Sequence, residues 1–207
     1  MASGFLNILK INLRYQLLPH FLLCLLFLLL TPFLFGTKAL DSREAAKLLE
    51  FVISLSGIFL LTPLLVPEQN PAVQDILRSK RTPYVTLCIM RFLYSITALA
   101  LLIGGYTLFL YFNECSVSLR CFLGAFITAA FLGILGLLAN SVTNNISVSY
   151  MVPVLYFCAN LSPALRKSPF YLFSMWTGSF TEKWLLLGAS GVYLLLIVGI
   201  LKKRCKI

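Results

Sequence analysis

The chain has 207 residues, of which 59% are apolar and only 12% charged, and its mean hydropathy is +0.91. A soluble domain is roughly 25% charged, and one of this size has too little interior to hide so much apolar surface, so an ordinary soluble enzyme is excluded. The formal charge of +10 comes from 17 Lys and Arg against 7 Asp and Glu. Those cations sit at the ends of apolar runs, which suits anionic lipid headgroups and topology control rather than a nucleic-acid face.

In chain order, residues 1–16 place Phe5, Leu9 and Leu13 on one face, with Asn7, Lys10 and Arg14 opposite. That pattern predicts either an interfacial helix or a cytoplasmic extension of the first span. A spanning helix needs about 20 mostly apolar residues. Six stretches reach or approach that length: Leu17–Phe35, Leu48–Val66, Tyr84–Phe112, Cys121–Ala139, the short Ile146–Leu161, and Trp184–Leu201. Leu-rich blocks such as Leu22–Leu30 lack the period of two of a membrane barrel, and lipid obliges the backbone to satisfy its own hydrogen bonds. The expected fold is therefore all-α: one polytopic transmembrane domain over 1–207 with six transmembrane helices. No small-residue cleavage site follows the first run, which reads as a retained helix.

With both termini in the cytoplasm, inside segments hold ten cations: Lys10, Arg14, Arg78, Lys80, Arg81, Arg91, Lys202, Lys203, Arg204 and Lys206. Outside segments hold seven: Lys38, Arg43, Lys47, Arg120, Arg166, Lys167 and Lys183. The densest clusters then fall inside. Pro32, Pro63 and Pro153 are expected to kink or end helices. Ala125, Ala129 and Gly133 put small residues at every fourth position, a helix-packing face within the subunit or a dimer face. Cys24, Cys88 and Cys158 read as small packing residues. Cys115 and Cys121 flank a short outer loop as a disulfide or as two thiols, and Cys205 lies beside the membrane in a basic tail. The aromatic stretch Pro169–Gly178, within the outer loop 162–183, is too short to span. It reads as a re-entrant or interfacial segment or as an aromatic-belt loop.

The segment 67–83 stands apart. Asn70 suits an N-cap and Pro71 the first helical position. Val73, Ile76 and Leu77 share a face, while Gln74, Asp75 and Arg78 lie elsewhere on the surface. Arg78, Lys80 and Arg81 sit where a helix dipole favours cations, and Pro83 discourages continuation. The prediction is a short amphipathic cytoplasmic helix whose apolar face lies on the membrane or docks in a groove of another protein.

This layout resembles the permease subunits of ABC-2 type transporters, with their N-terminal interfacial helix, six spans, and coupling helix between spans two and three. The chain offers Glu68, Asp75, Leu77, Ser79, Pro83 and Arg91 in the order of that family's loose pattern. Val73-Gln74 stands where Gly is common, and Lys80-Arg81-Thr82 separates Ser79 from Pro83. The resemblance implies a separate nucleotide-binding ATPase subunit, which carries ATP and Mg, and a second permease copy or paralogue in a bacterial cell membrane. It also implies an ATPase-coupling role for Val73, Ile76 and Leu77 as apolar contacts and for Glu68, Asp75 and Arg78 as polar ones. The inner loop Asn140–Asn145 would be a minor second contact. The walls suit an amphipathic or lipid-like cargo, such as a hydrophobic peptide.

The chain has no P-loop, zincin motif, paired carboxylates or Ser-His constellation, so no catalytic, cofactor or metal residues are assigned. His20 is the only histidine and sits near the start of span one, while Glu50, Arg91 and Glu114 sit near span ends. The span centres are expected to be almost free of ionisable groups, which disfavours an ion-coupled carrier. The competing reading is a membrane interaction, assembly or immunity protein without an ATPase.

Overall fold

The computed structural model describes residues 17–36, 40–69 and 84–204. These are mostly helical, with no strand among them. We label the apolar helices α1 (Leu18–Phe35), α2 (Ser42–Val66), α3 (Tyr84–Phe112), α4 (Leu119–Thr143), α5 (Ile146–Leu161) and α6 (Thr181–Arg204). Among the described residues, α2, α3, α4 and α6 are long and apolar enough to cross a membrane; α1 and α5 are shorter apolar helices. The spans predicted at Tyr84–Phe112 and Ile146–Leu161 coincide with α3 and α5 to the residue.

Helix α4 is the hub, packing most heavily on α2, α5 and α6. Its sequence explains why. Ala125, Ala129, Gly133 and Gly136 clear a path for backbone on a helix otherwise rich in Leu, Ile and Phe. A Cβ on Gly57 of α2 would sit 1.9 Å from the Ala129 carbonyl oxygen, and one on Gly133 2.5 Å from that of Gly57. A Cβ on Gly136 would lie 2.4 Å from Thr62 Oγ1. Ala125, Ala129 and Gly133 are all buried within the chain, so α2 occupies much of the small-residue face. Such contact replaces side chains with close backbone approach, which suits helix association in lipid, where the hydrophobic effect adds little.

Helix α2 is not uniform. It begins at Ser42, earlier than its apolar run, because Ala45, Ala46, Leu48 and Leu49 are buried while Arg43, Glu44 and Lys47 stay exposed. Leu49–Ile53 is a π-helical turn, and the Ser54 hydroxyl donates to the Glu50 carbonyl just beyond it. Past Leu61 the helix tightens into a 3-10 segment, Thr62–Gln69. Pro67 there lacks the N–H that would close a 3-10 bond onto the Leu64 carbonyl. Arg91 of α3, 5% exposed, donates to that carbonyl from Nη1 at 3.3 Å. Asn140 of α4 similarly donates to the Thr62 carbonyl at 3.4 Å. The departing end of α2 is thus tied to both α3 and α4 by side chains.

The connection from α4 to α5 is tighter than a loop over Asn140–Asn145. Helix α4 runs to Thr143 and Asn144 takes a left-handed φ of 52°. Asn145 then caps α5 by accepting from the Ser147 N–H at 2.9 Å. Cys115 and Cys121 are both buried, and the Cys115 thiol donates to the Asn113 carbonyl at 3.6 Å.

The seam between α2 and α4 yields a direct test. Gly57→Val forces backbone apart and should lower stability by about 1–3 kcal/mol, the usual cost of overpacking. Gly191→Val on α6, where a Cβ meets nothing within 4 Å, serves as its control. Thermal unfolding in detergent should show a drop for the first variant alone; equal behaviour would contradict the seam.

Candidate functional site

The polar centre of the molecule lies at the end of the bundle where α2, α4 and α6 begin. Here the chain between α5 and α6 turns back onto the helices. After a single 3-10 turn, Pro163–Lys167, residues 168–180 form no helix, yet Tyr171, Leu172, Phe173 and Ser174 are buried. Over Pro169–Gly178 the chain forms no helix, and its aromatic residues divide between buried Tyr171 and Phe173 and exposed Phe170 and Trp176. It is a strap folded into the bundle.

Apolar contacts seat the strap. Phe173 lies 5.2 Å from the Phe51 ring of α2 and 5.3 Å from that of Phe157 of α5, and those two rings are 5.5 Å apart. Tyr171 packs edge-on against Phe173 at 5.8 Å. Met175 covers Gly124 of α4, where a Cβ would come within 2.9 Å of its Cγ.

An irregular segment against apolar helices brings N–H and C=O groups that need partners. Side chains from the surrounding helices supply several of them. Tyr156 of α5 donates its hydroxyl to the Phe170 carbonyl at 2.8 Å, and the Asn160 side-chain oxygen accepts from the Leu172 N–H at 3.1 Å. Glu50, in the π-helical turn of α2, accepts from the Met175 N–H at 3.1 Å and from the Trp176 N–H at 3.3 Å. Lys183, in the first turn of α6, donates to the Leu172 carbonyl.

Glu50 and Lys183 also pair with each other. Lys183 Nζ is 2.6 Å from Glu50 Oε1, and the two side chains are 0% and 1% exposed. The ammonium has three donors, and all three are used: Glu50, the Leu172 carbonyl, and the Thr128 hydroxyl of α4 at 2.6 Å. One ion pair thereby joins α2, α4, α6 and the strap. Its geometry meets the condition for tolerating buried charge, which is opposite charge plus hydrogen bonds to the remaining donors.

Outside the pair, Trp176 is partly exposed and carries Lys47 at 5.0 Å and Arg166 at 5.4 Å from its ring. Burial pushes the Tyr171 phenol above its ordinary pKa, with Arg166 opposing the shift.

Of the residues assigned to coupling, Val73, Asp75, Ile76, Leu77 and Arg78 lie outside the described residues, as does the interfacial segment 1–16. Glu68 falls within the 3-10 segment Thr62–Gln69, whose first turn is held by the Arg91 contact to the Leu64 carbonyl. Ala125, Ala129 and Gly133 lie along α4 on either side of Thr128, and Gly133 and Ala129 meet α2 at Gly57. Hydropathy places Lys183 in an outer loop and Glu50 near a span end; in the structure both lie within helices. Lys183 belongs to α6, and Glu50 lies about 12 Å along α2, at 1.5 Å per residue from Ser42. The available signal is weak: Glu50 and Lys183 each enter an apolar run at the same end of two helices, but Lys47 and Glu182 stand close beside them in the sequence. Among the described residues no three His, Cys, Asp or Glu side chains cluster to hold a metal.

No family model, curated protein or solved structure matches the chain.

Removing one partner of a buried pair leaves an uncompensated charge. Lys183→Met should therefore cost about 3–5 kcal/mol of stability. Glu50→Gln/Lys183→Met should cost clearly less than the two single changes added together, because it removes both charges and keeps an amide oxygen for the strap. A double-mutant cycle on unfolding in detergent measures this, and strict additivity would contradict a coupled pair.

Proposed function

We propose that this chain is the permease subunit of an ATP-driven exporter of the ABC-2 type, multi-pass with six spans and both termini in the cytoplasm. The observation that carries the reading is the segment 67–83 between α2 and α3. Read as a helix, its sequence puts Val73, Ile76 and Leu77 on one face ahead of a basic tail of Arg78, Lys80 and Arg81. A separate ATPase subunit with ATP and Mg docks on that face, and a second permease copy or paralogue completes the membrane domain. The long apolar helices support a membrane role.

Two structural features fit this reading. The segments flanking residues 70–83 are joined through the contact between Arg91 and the Leu64 carbonyl. A pull on the coupling segment would therefore reach α2 and α3 together, and through Asn140 also α4. The second feature is the size of the apolar cavity bounded by Leu64, Val85, Phe92, Leu137, Leu194 and Leu201, which measures about 70 Å³. Ligand pockets run to roughly 300–1,000 Å³, so an amphipathic or lipid-like cargo would pass between two subunits rather than through this cavity.

Leu77→Asp places a charge on the docking face without touching a span. The variant should reach the membrane at normal levels and lose at least about tenfold of the cargo-stimulated ATP hydrolysis of the reconstituted complex, equivalent to about 1.4 kcal/mol of coupling. An unchanged rate would refute the coupling role. Failure of any nucleotide-binding subunit to co-purify from native membranes would favour an interaction protein instead.

A further inference from the structure

The strap between α5 and α6 has a property that a permanent structural staple does not need. Besides the apolar seating of Phe173 and the bonds to Tyr156 and Asn160 of α5, it is fixed by hydrogen bonds to a desolvated ion pair. Each of those charges is costly to bury alone and recovers that cost only while the other is in place. When water reaches the site, both charges are hydrated and the incentive to stay paired becomes small. The contact is therefore strong when dry and weak when wet, with little to favour a half-open state.

Other features of the strap agree. Its buried stretch lies between two turns, Ser168–Tyr171 and Ser174–Ser179, each closed by a backbone hydrogen bond. Gly178 at the second turn has φ 85°, and a Cβ there would meet nothing within 4 Å. The hydroxyl of Ser174, which is 0% exposed, has no hydrogen-bond partner among the described residues. An unmet buried hydroxyl penalises the closed state, and entry of water would relieve it. Trp176, at the edge of the strap, is partly exposed and therefore reachable from outside.

We propose that the Glu50–Lys183 pair is a latch, and that its rupture releases the Tyr171–Trp176 strap from α2, α4 and α6 as a unit while the helices stay packed. Lys183 holds the strap by the Leu172 carbonyl, Glu50 holds it by the Met175 and Trp176 N–H groups, and Thr128 positions the ammonium between them. The latch goes beyond the exporter reading and stands without it, since its geometry requires neither cargo nor ATPase.

Ser174→Cys supplies the probe, because it is nearly isosteric and lies in the middle of the strap. Native Cys24, 0% exposed and packed among the helices, reports global opening in the same sample. Maleimide labelling of detergent-solubilised protein, resolved site by site by mass spectrometry, gives both rates. With the pair intact, both positions should label slowly. Adding Lys183→Met should speed labelling at position 174 by about 1,000-fold, within the range expected for breaking a buried pair, and keep Cys24 at least about tenfold slower than position 174. Thr128→Val removes one ligand of Lys183 while leaving both charges, and should give a rise of about tenfold. Position 174 remaining protected in both variants would overturn the latch. Exposure of Cys24 in step with position 174 would overturn it too, since the pair would then hold the whole bundle rather than the strap.

Discussion

Backbone lying against apolar helices must find a partner for the N–H and C=O groups it buries, and that constraint organises one end of this molecule. The strap between α5 and α6 has no helix of its own to meet it. Its groups are met by Tyr156, Asn160, Glu50 and Lys183 from three different helices. The two charged members are tolerated because each answers the other. By placing its three donors on Glu50, Thr128 and Leu172, Lys183 ties the strap to α2, α4 and α6 at this end. The aromatic cluster around Phe173 then fills the space left between them.

The opposite end of α2 follows the same logic with weaker groups. Prolines remove N–H donors from the 3-10 segment, and Arg91 and Asn140 donate to carbonyls there. Between the two ends, Gly57, Ala129 and Gly133 let α2 and α4 meet backbone to backbone. Polar side chains thus secure both ends of a contact whose middle depends on the absence of side chains. In the proposed exporter, motion of the coupling segment would enter at the Arg91 end, and the strap would be the part at the far end best placed to respond.

Much of the helical layout was legible in the sequence, because an apolar run of sufficient length has few alternatives. Helix α3 ran from Tyr84 to Phe112 and α5 from Ile146 to Leu161 as hydropathy implied. The helices extended past their apolar runs where one face alone was buried, as in Ser42–Leu48 and Thr181–Lys183. The ion pair was not legible. Hydropathy treats a lone charge beside an apolar run as a marker of water, and 133 positions separate Glu50 from Lys183. Only the packing of α2 and α6 around α4 and the return of the strap bring the two together. The strap was ambiguous for a related reason: Pro169–Gly178 is apolar enough to be buried and too short to be a span, and its partners lie in other segments.

Hydrogen exchange at individual strap amides tests the account most directly, because it reads the hydrogen bonds themselves. With the protein held in lipid nanodiscs, the amides of Leu172, Met175 and Trp176 should exchange orders of magnitude more slowly than that of an exposed turn residue such as Thr177, whose N–H meets no side-chain acceptor among the described residues. If all four amides exchanged together at the rate of an open loop, Glu50 and Asn160 would not be holding the strap, and the account would fail.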